Sequence, residues 1–107
     1  MGSGWIRSAR IRELLARIDD EKSRVEAECE RAFALRLGGG CSLPAGAHAE
    51  LSGESLSVVG MVATQDGKHL VKGTLNGGPK SARALGRRLA VELLRNGGRE
   101  ILRSVAQ

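Results

Sequence analysis

The sequence predicts an α+β fold: a three-stranded antiparallel sheet with helices packed on one face, in the order α-α-β-β-β-α(-α). Three observations predict it. The apolar period is helical up to Leu37, alternating from Gly46 to Leu75, and helical again after Pro79. Glycine clusters at residues 38–40, 77–78 and 97–98 punctuate those changes. A length of 107 residues with 41% apolar content suits one domain with one modest core.

Ile11, Leu14, Leu15 and Ile18 recur at helical spacing and predict a first short amphipathic helix. Asp19-Asp20 offers an N-cap and a first-turn acid, so a second helix is predicted to start there. Its stripe is Val25, Cys29, Ala32, Phe33 and Leu37, and it should stop at Gly38. Gly46 to Leu51 alternates small apolar with polar residues and predicts a first strand, turned at Ser52-Gly53-Glu54. Leu56 to Thr64, rich in β-branched residues, predicts the central strand. Asp66-Gly67 is a two-residue hairpin signal, and Lys68 to Leu75 is the third strand. Ser81 is positioned to cap a helix carrying Ala82, Leu85, Leu89 and Leu93, ended by Asn96-Gly97-Gly98. Ile101, Leu102 and Val105 fit a last short helix. Met1-Gly2-Ser3-Gly4 reads as a remnant or disordered end, and residues 5–107 as the single domain.

Composition excludes several functions. No apolar run approaches the roughly 18 residues of a membrane span. No charged n-region and apolar h-region open the chain, and two cysteines do not make a disulfide scaffold. Together these predict a reducing, cytoplasmic setting. Cys29, Cys41, His48 and His69 lack the paired spacing of a zinc site. A net charge of +5 permits polyanion binding without requiring it.

The segment Gly38-Gly39-Gly40-Cys41-Ser42 is the most unusual stretch. A glycine run lets backbone approach a ligand closely, and a loop thiol stays accessible to chemistry. Equally, Gly38 could be a plain helix C-cap and Cys41 a small apolar residue. Cys29 lies on a helical stripe and is predicted buried. Arg83, Arg87, Arg88, Arg95, Arg99 and Arg103 make the C-terminal third basic. They read as a solvated face or as carboxylate-binding groups.

Glu30-Arg31-Ala32-Phe33, Arg36-Leu37-Gly38-Gly39-Gly40-Cys41 and Leu43-Pro44 resemble the C-terminal domain of the porphobilinogen deaminase (hydroxymethylbilane synthase) family. The resemblance continues through Gly46-Ala47-His48-Ala49-Glu50-Leu51, Ala84-Leu85-Gly86, Ala90-Val91-Glu92-Leu93-Leu94 and Gly98-Arg99-Glu100-Ile101-Leu102. It implies a transferase of tetrapyrrole and heme biosynthesis whose loop cysteine carries a dipyrromethane cofactor through a thioether. By that resemblance Cys41 is the attachment residue, Gly38, Gly39 and Gly40 make its loop flexible, and Ser42 lies beside the cofactor. The family's Gln-Val after the cysteine is Ser42-Leu43 here. The family enzyme has three domains, and its catalytic aspartate belongs to the first two. No catalytic residue is therefore expected in this chain. Its expected partners are the two other domains, in cis or on a separate chain, and the growing pyrrole chain. Alone it is expected to be inactive, with Cys41 a free thiol. The competing reading is a double-stranded-RNA-binding-like module, which shares the α-β-β-β-α order. The sparse cations of Lys80-Ser81-Ala82-Arg83 and the two aromatics weigh against nucleic acid.

Overall fold

The computed structural model describes residues 2–38 and 45–106. Helix α1 runs Gly2–Leu37, followed by strands β1 (Ala45–Ser52), β2 (Ser55–Ala63) and β3 (Leu70–Gly77). Helices α2 (Ala82–Leu93) and α3 (Arg99–Ala106) complete the chain. The strands form one antiparallel sheet in the order β1-β2-β3. The helices cover one face, as the sequence predicts.

The first two predicted helices are one. Asp19-Asp20 does not open a new helix, because α1 passes through it. No Gly or Pro interrupts residues 5–37. The two stripes are also in phase, with Lys22 bridging Ile18 and Val25 at steps of four and three. The same helix takes in Gly2-Ser3-Gly4. Among the α1 side chains the structure describes, burial starts at Val25, and Leu15 is 53% exposed. The N-terminal half thus projects, and the molecule is 67 Å long but only 23 × 20 Å across. The side chains of Ile11, Leu14, Ile18 and Val105 lie outside the described residues.

The first hairpin turns where the sequence predicts, and the second differs. The tight turn is Gly53-Glu54, with Ser52 opposite Ser55 and Gly53 at φ +61°. The Asp66-Gly67 connection is longer, spanning residues 64–69. There one more backbone bond, from the Thr64 N–H to the His69 carbonyl at 2.9 Å, is joined by side-chain bonds. Asp66 Oδ1 accepts from Thr64 Oγ1 at 2.6 Å and from the Lys68 N–H at 3.0 Å. The Gly67 N–H donates to the Thr64 carbonyl at 3.0 Å. Ser81 makes no side-chain cap; a 3₁₀ turn at Pro79–Ser81 feeds α2 instead. Gly97 breaks the helix before α3 with φ +120°, as Asn96-Gly97-Gly98 predicts.

The core joins Val25, Cys29 and Phe33 of α1 to Leu56, Val58 and Val62 of β2 and Leu85, Leu89 and Leu93 of α2. Ala47, Gly60 and Gly73 lie in one row across the covered face. A Cβ on Gly60 would come within 2.7 Å of the Phe33 ring and 2.9 Å of Leu89. This row is the depression that seats the sole phenylalanine. Gly86 of α2 meets α1 directly. A Cβ there would run into the Cys29 carbonyl oxygen and lie 3.0 Å from the Phe33 nitrogen.

Two outcomes follow from the α1–α2 crossing. Gly86→Ala gains helix propensity but forces two backbones apart. It is expected to lower stability by about 1–3 kcal/mol, read as a fall in denaturation midpoint at constant m-value. Cys29 is fully buried, and desolvation, then the Glu30 charge, raise its thiol pKa above the ordinary range. The folded state thus keeps the proton where the unfolded chain loses it. This contribution is whole below the ordinary thiol pKa and is lost as pH rises above it. Stability should fall in that alkaline window, and Cys29→Ala should flatten the fall; an unchanged slope would count against the buried-thiol account.

Candidate functional site

The glycine-cysteine loop is bounded by two stems. α1 ends at Leu37, where Gly38 adopts φ +100° and donates its N–H to the Leu35 carbonyl at 3.3 Å. Only glycine takes this left-handed cap readily. Gly38 is exposed, with nothing within 4 Å of where a Cβ would point. The chain returns at Ala45, opposite Val62. Gly39, Gly40, Cys41 and Ser42 lie outside the described residues. The return stem reaches the sheet end that holds the 64–69 turn. Asp66 lies in that turn, its carboxyl held below the usual range by Thr64 and the Lys68 amide.

The stems are tied together by α1 and β1. Glu30 Oε2 accepts the Ala49 N–H at 2.8 Å, and Glu26 Oε2 accepts the Leu51 N–H at 2.8 Å. β1 is an edge strand, so these amides have no strand partner on that side. Sequence reading missed both acids as functional candidates. Their i,i+4 spacing before the glycine run was the available signal.

The second cysteine cannot substitute for the loop thiol. Cys29 is 0% exposed and its pKa is raised, so it is a poor nucleophile. Its predicted burial is correct. Among the described residues no group of His, Cys, Asp and Glu is arranged to hold a metal. No helix among them is long and apolar enough to cross a membrane.

The basic residues divide in space. Arg83, Arg87, Arg88, Arg95, Arg99 and Arg103 are all exposed. Arg83 and Arg87 join Arg31 and Arg36 of α1 around an open groove of about 470 Å³ between α1 and α2. Glu28 sits in it, 3.3 Å from Arg83. Arg95, Arg99 and Arg103 surround the break between α2 and α3. His48 is exposed, with Nδ1 3.8 Å from Glu30.

Comparison with known proteins covers the same stretch. The family model described as the porphobilinogen deaminase C-terminal domain matches residues 24–95, a span that includes the whole loop. The chain is 42% identical over 95 residues to a porphobilinogen deaminase of Syntrophobacter fumaroxidans, covering 89% of the chain and 31% of that relative. A relative of the same name from Pelotomaculum thermopropionicum is 43% identical over 97 residues, covering 91% and 31%. One from Roseiflexus is 44% identical over 92 residues, covering 86% and 30%. The chain thus spans about a third of the length of these relatives. With its helix–sheet–helix order and its loop inside the matched span, the chain belongs to the family of porphobilinogen deaminase C-terminal domains.

Proposed function

We propose that this chain is the cofactor-carrying domain of a porphobilinogen deaminase, working in tetrapyrrole and heme biosynthesis in a reducing, cytoplasmic setting. One observation carries the reading. The family match spans the glycine-cysteine loop, in a chain 42% identical to a protein of that name.

The residues present fit a covalently held dipyrromethane. Burial of Cys29 leaves Cys41 to provide the accessible thiol. The open surroundings of Gly38 leave room at one stem for a bulky adduct. Cys41 would hold the group by a thioether, its soft sulfur suiting an electrophilic methylene carbon. The bound group supplies the primer to which four porphobilinogen units are added. Gly38, Gly39 and Gly40 let the loop shift as that load grows. Ser42 offers a hydroxyl next to the attachment point. The catalytic acid and the remaining carboxylate-binding groups come from the two other domains, in cis or on a second chain. The RNA-binding alternative is not favoured by the family.

The test is a mass measurement on this chain joined to, or expressed with, the two preceding domains of a relative. The Cys41 peptide should gain two porphobilinogen units less two ammonias, and Cys41→Ser should abolish the gain. An unmodified Cys41 in an active assembly would overturn the assignment. The chain alone should consume no porphobilinogen; turnover by it would defeat the expected inactivity.

A further inference from the structure

We propose that the groove between α1 and α2 is a binding site for an organic oligocarboxylate: a compact molecule with an apolar centre and two or more carboxylates. The inference goes beyond the role given to Cys41 and does not depend on it.

Arg31 and Arg36 line the groove from α1, and Arg83 and Arg87 line it from α2. The crossing at Gly86 sets the gap between the two walls, since a Cβ there would run into the Cys29 carbonyl oxygen. Four arginines against one glutamate, Glu28, leave three positive charges unmatched in the lining. Among the described residues, Arg83 alone of the four has an acidic partner, Glu28 Oε1 at 3.3 Å.

The cluster works against the helix that carries it. Arg83 stands in the first turn of α2, where the helix dipole is positive and no acid answers it. Arg87 follows at i+4, a like-charge spacing that weakens a helix. A bound anion relieves both.

Two observations select the class of anion. All four cations are arginines, and none of the chain's lysines lines the groove. A guanidinium pairs with a carboxylate through two parallel N–H bonds. Apolar surface also lies among the charges: Leu35 is 71% exposed, and Ala32 is half-buried in the same lining. An inorganic anion leaves that surface in water, whereas a ligand with a hydrocarbon centre covers it. The Glu28–Arg83 pair already places one carboxylate against this wall, so Glu28 competes with the ligand. The opening lined by Arg95, Arg99 and Arg103 is as basic, but it has no exposed apolar side chain. It serves as the control.

The experiment titrates the 107-residue chain with benzene-1,3,5-tricarboxylate, read by calorimetry and by backbone amide shifts. One saturable site is expected, with the shifts centred on the groove residues of α1 and α2. Benzoate and pyrophosphate should each bind about threefold more weakly or worse. Pyrophosphate binding as tightly as the tricarboxylate would reveal a general anion patch and overturn the proposal. Arg31→Ala and Arg87→Ala keep helix propensity and should each weaken binding about fivefold. Arg99→Ala should change it by less than about twofold. Equal losses in Arg87→Ala and Arg99→Ala would mean that net charge, not the groove, attracts the ligand, and the proposal fails. Glu28→Gln removes the resident competitor and should tighten binding about threefold. Should an arginine variant fail to fold, Glu28→Gln decides by direction: tightening supports the groove, and an unchanged affinity overturns it.

Discussion

The close crossing of α1 and α2 at Gly86 is the constraint on which the rest of the structure depends. Helix backbones ordinarily stand 8–10 Å apart because side chains separate them. Here a glycine lies against the Cys29 carbonyl, and α2 comes near enough to share the sheet's covered face with α1. Phe33 then reaches the row made by Ala47, Gly60 and Gly73. Large side chains on the helices and missing ones on the sheet are complementary halves of one packing solution. The composition carries the same message. With two aromatics and fifteen glycines, the core is built by close approach rather than by bulk.

That placement has a second effect. Once α1 is set over β1, its acidic side meets the strand's open edge. An unpaired edge invites another chain, and a charged neighbour blunts it. Glu26 and Glu30 do so from the adjacent helix, by taking the amides themselves. The opposite edge, β3, carries Lys72 on its exposed face instead. The two edges of one small sheet are thus protected by different physical means.

Much of the fold is legible in the sequence because it rests on periodicity. The change of period at the glycine runs located all three strands, and burial of Cys29 followed from its place on the helical stripe. The errors share one cause. Asp19-Asp20, Ser81 and Asp66-Gly67 each have the chemistry of a local boundary, and in each the surroundings overrode it. At Asp19-Asp20 no breaker accompanies the cap, and two stripes in phase favour one helix. At Ser81, Pro79 starts the turn earlier. At Asp66 the carboxylate satisfies Thr64 and Lys68, and a wider turn is the result. The candidate site was picked out in another way. The thiol loop stood out by residue type, whereas its supports did not, because a glutamate on a helix looks solvated until the strand it faces is known.

This difference bears on how the two stems of the glycine-cysteine segment are held to a small core. The loop's outgoing stem is a glycine in a left-handed conformation, a position that a β-carbon would strain. Its returning stem is an edge strand whose last charged anchor is Ala49. Charge-assisted bonds at Ala49 and Leu51 hold that strand to α1. How far along β1 the returning stem is anchored is therefore set by where the acidic pair on α1 ends.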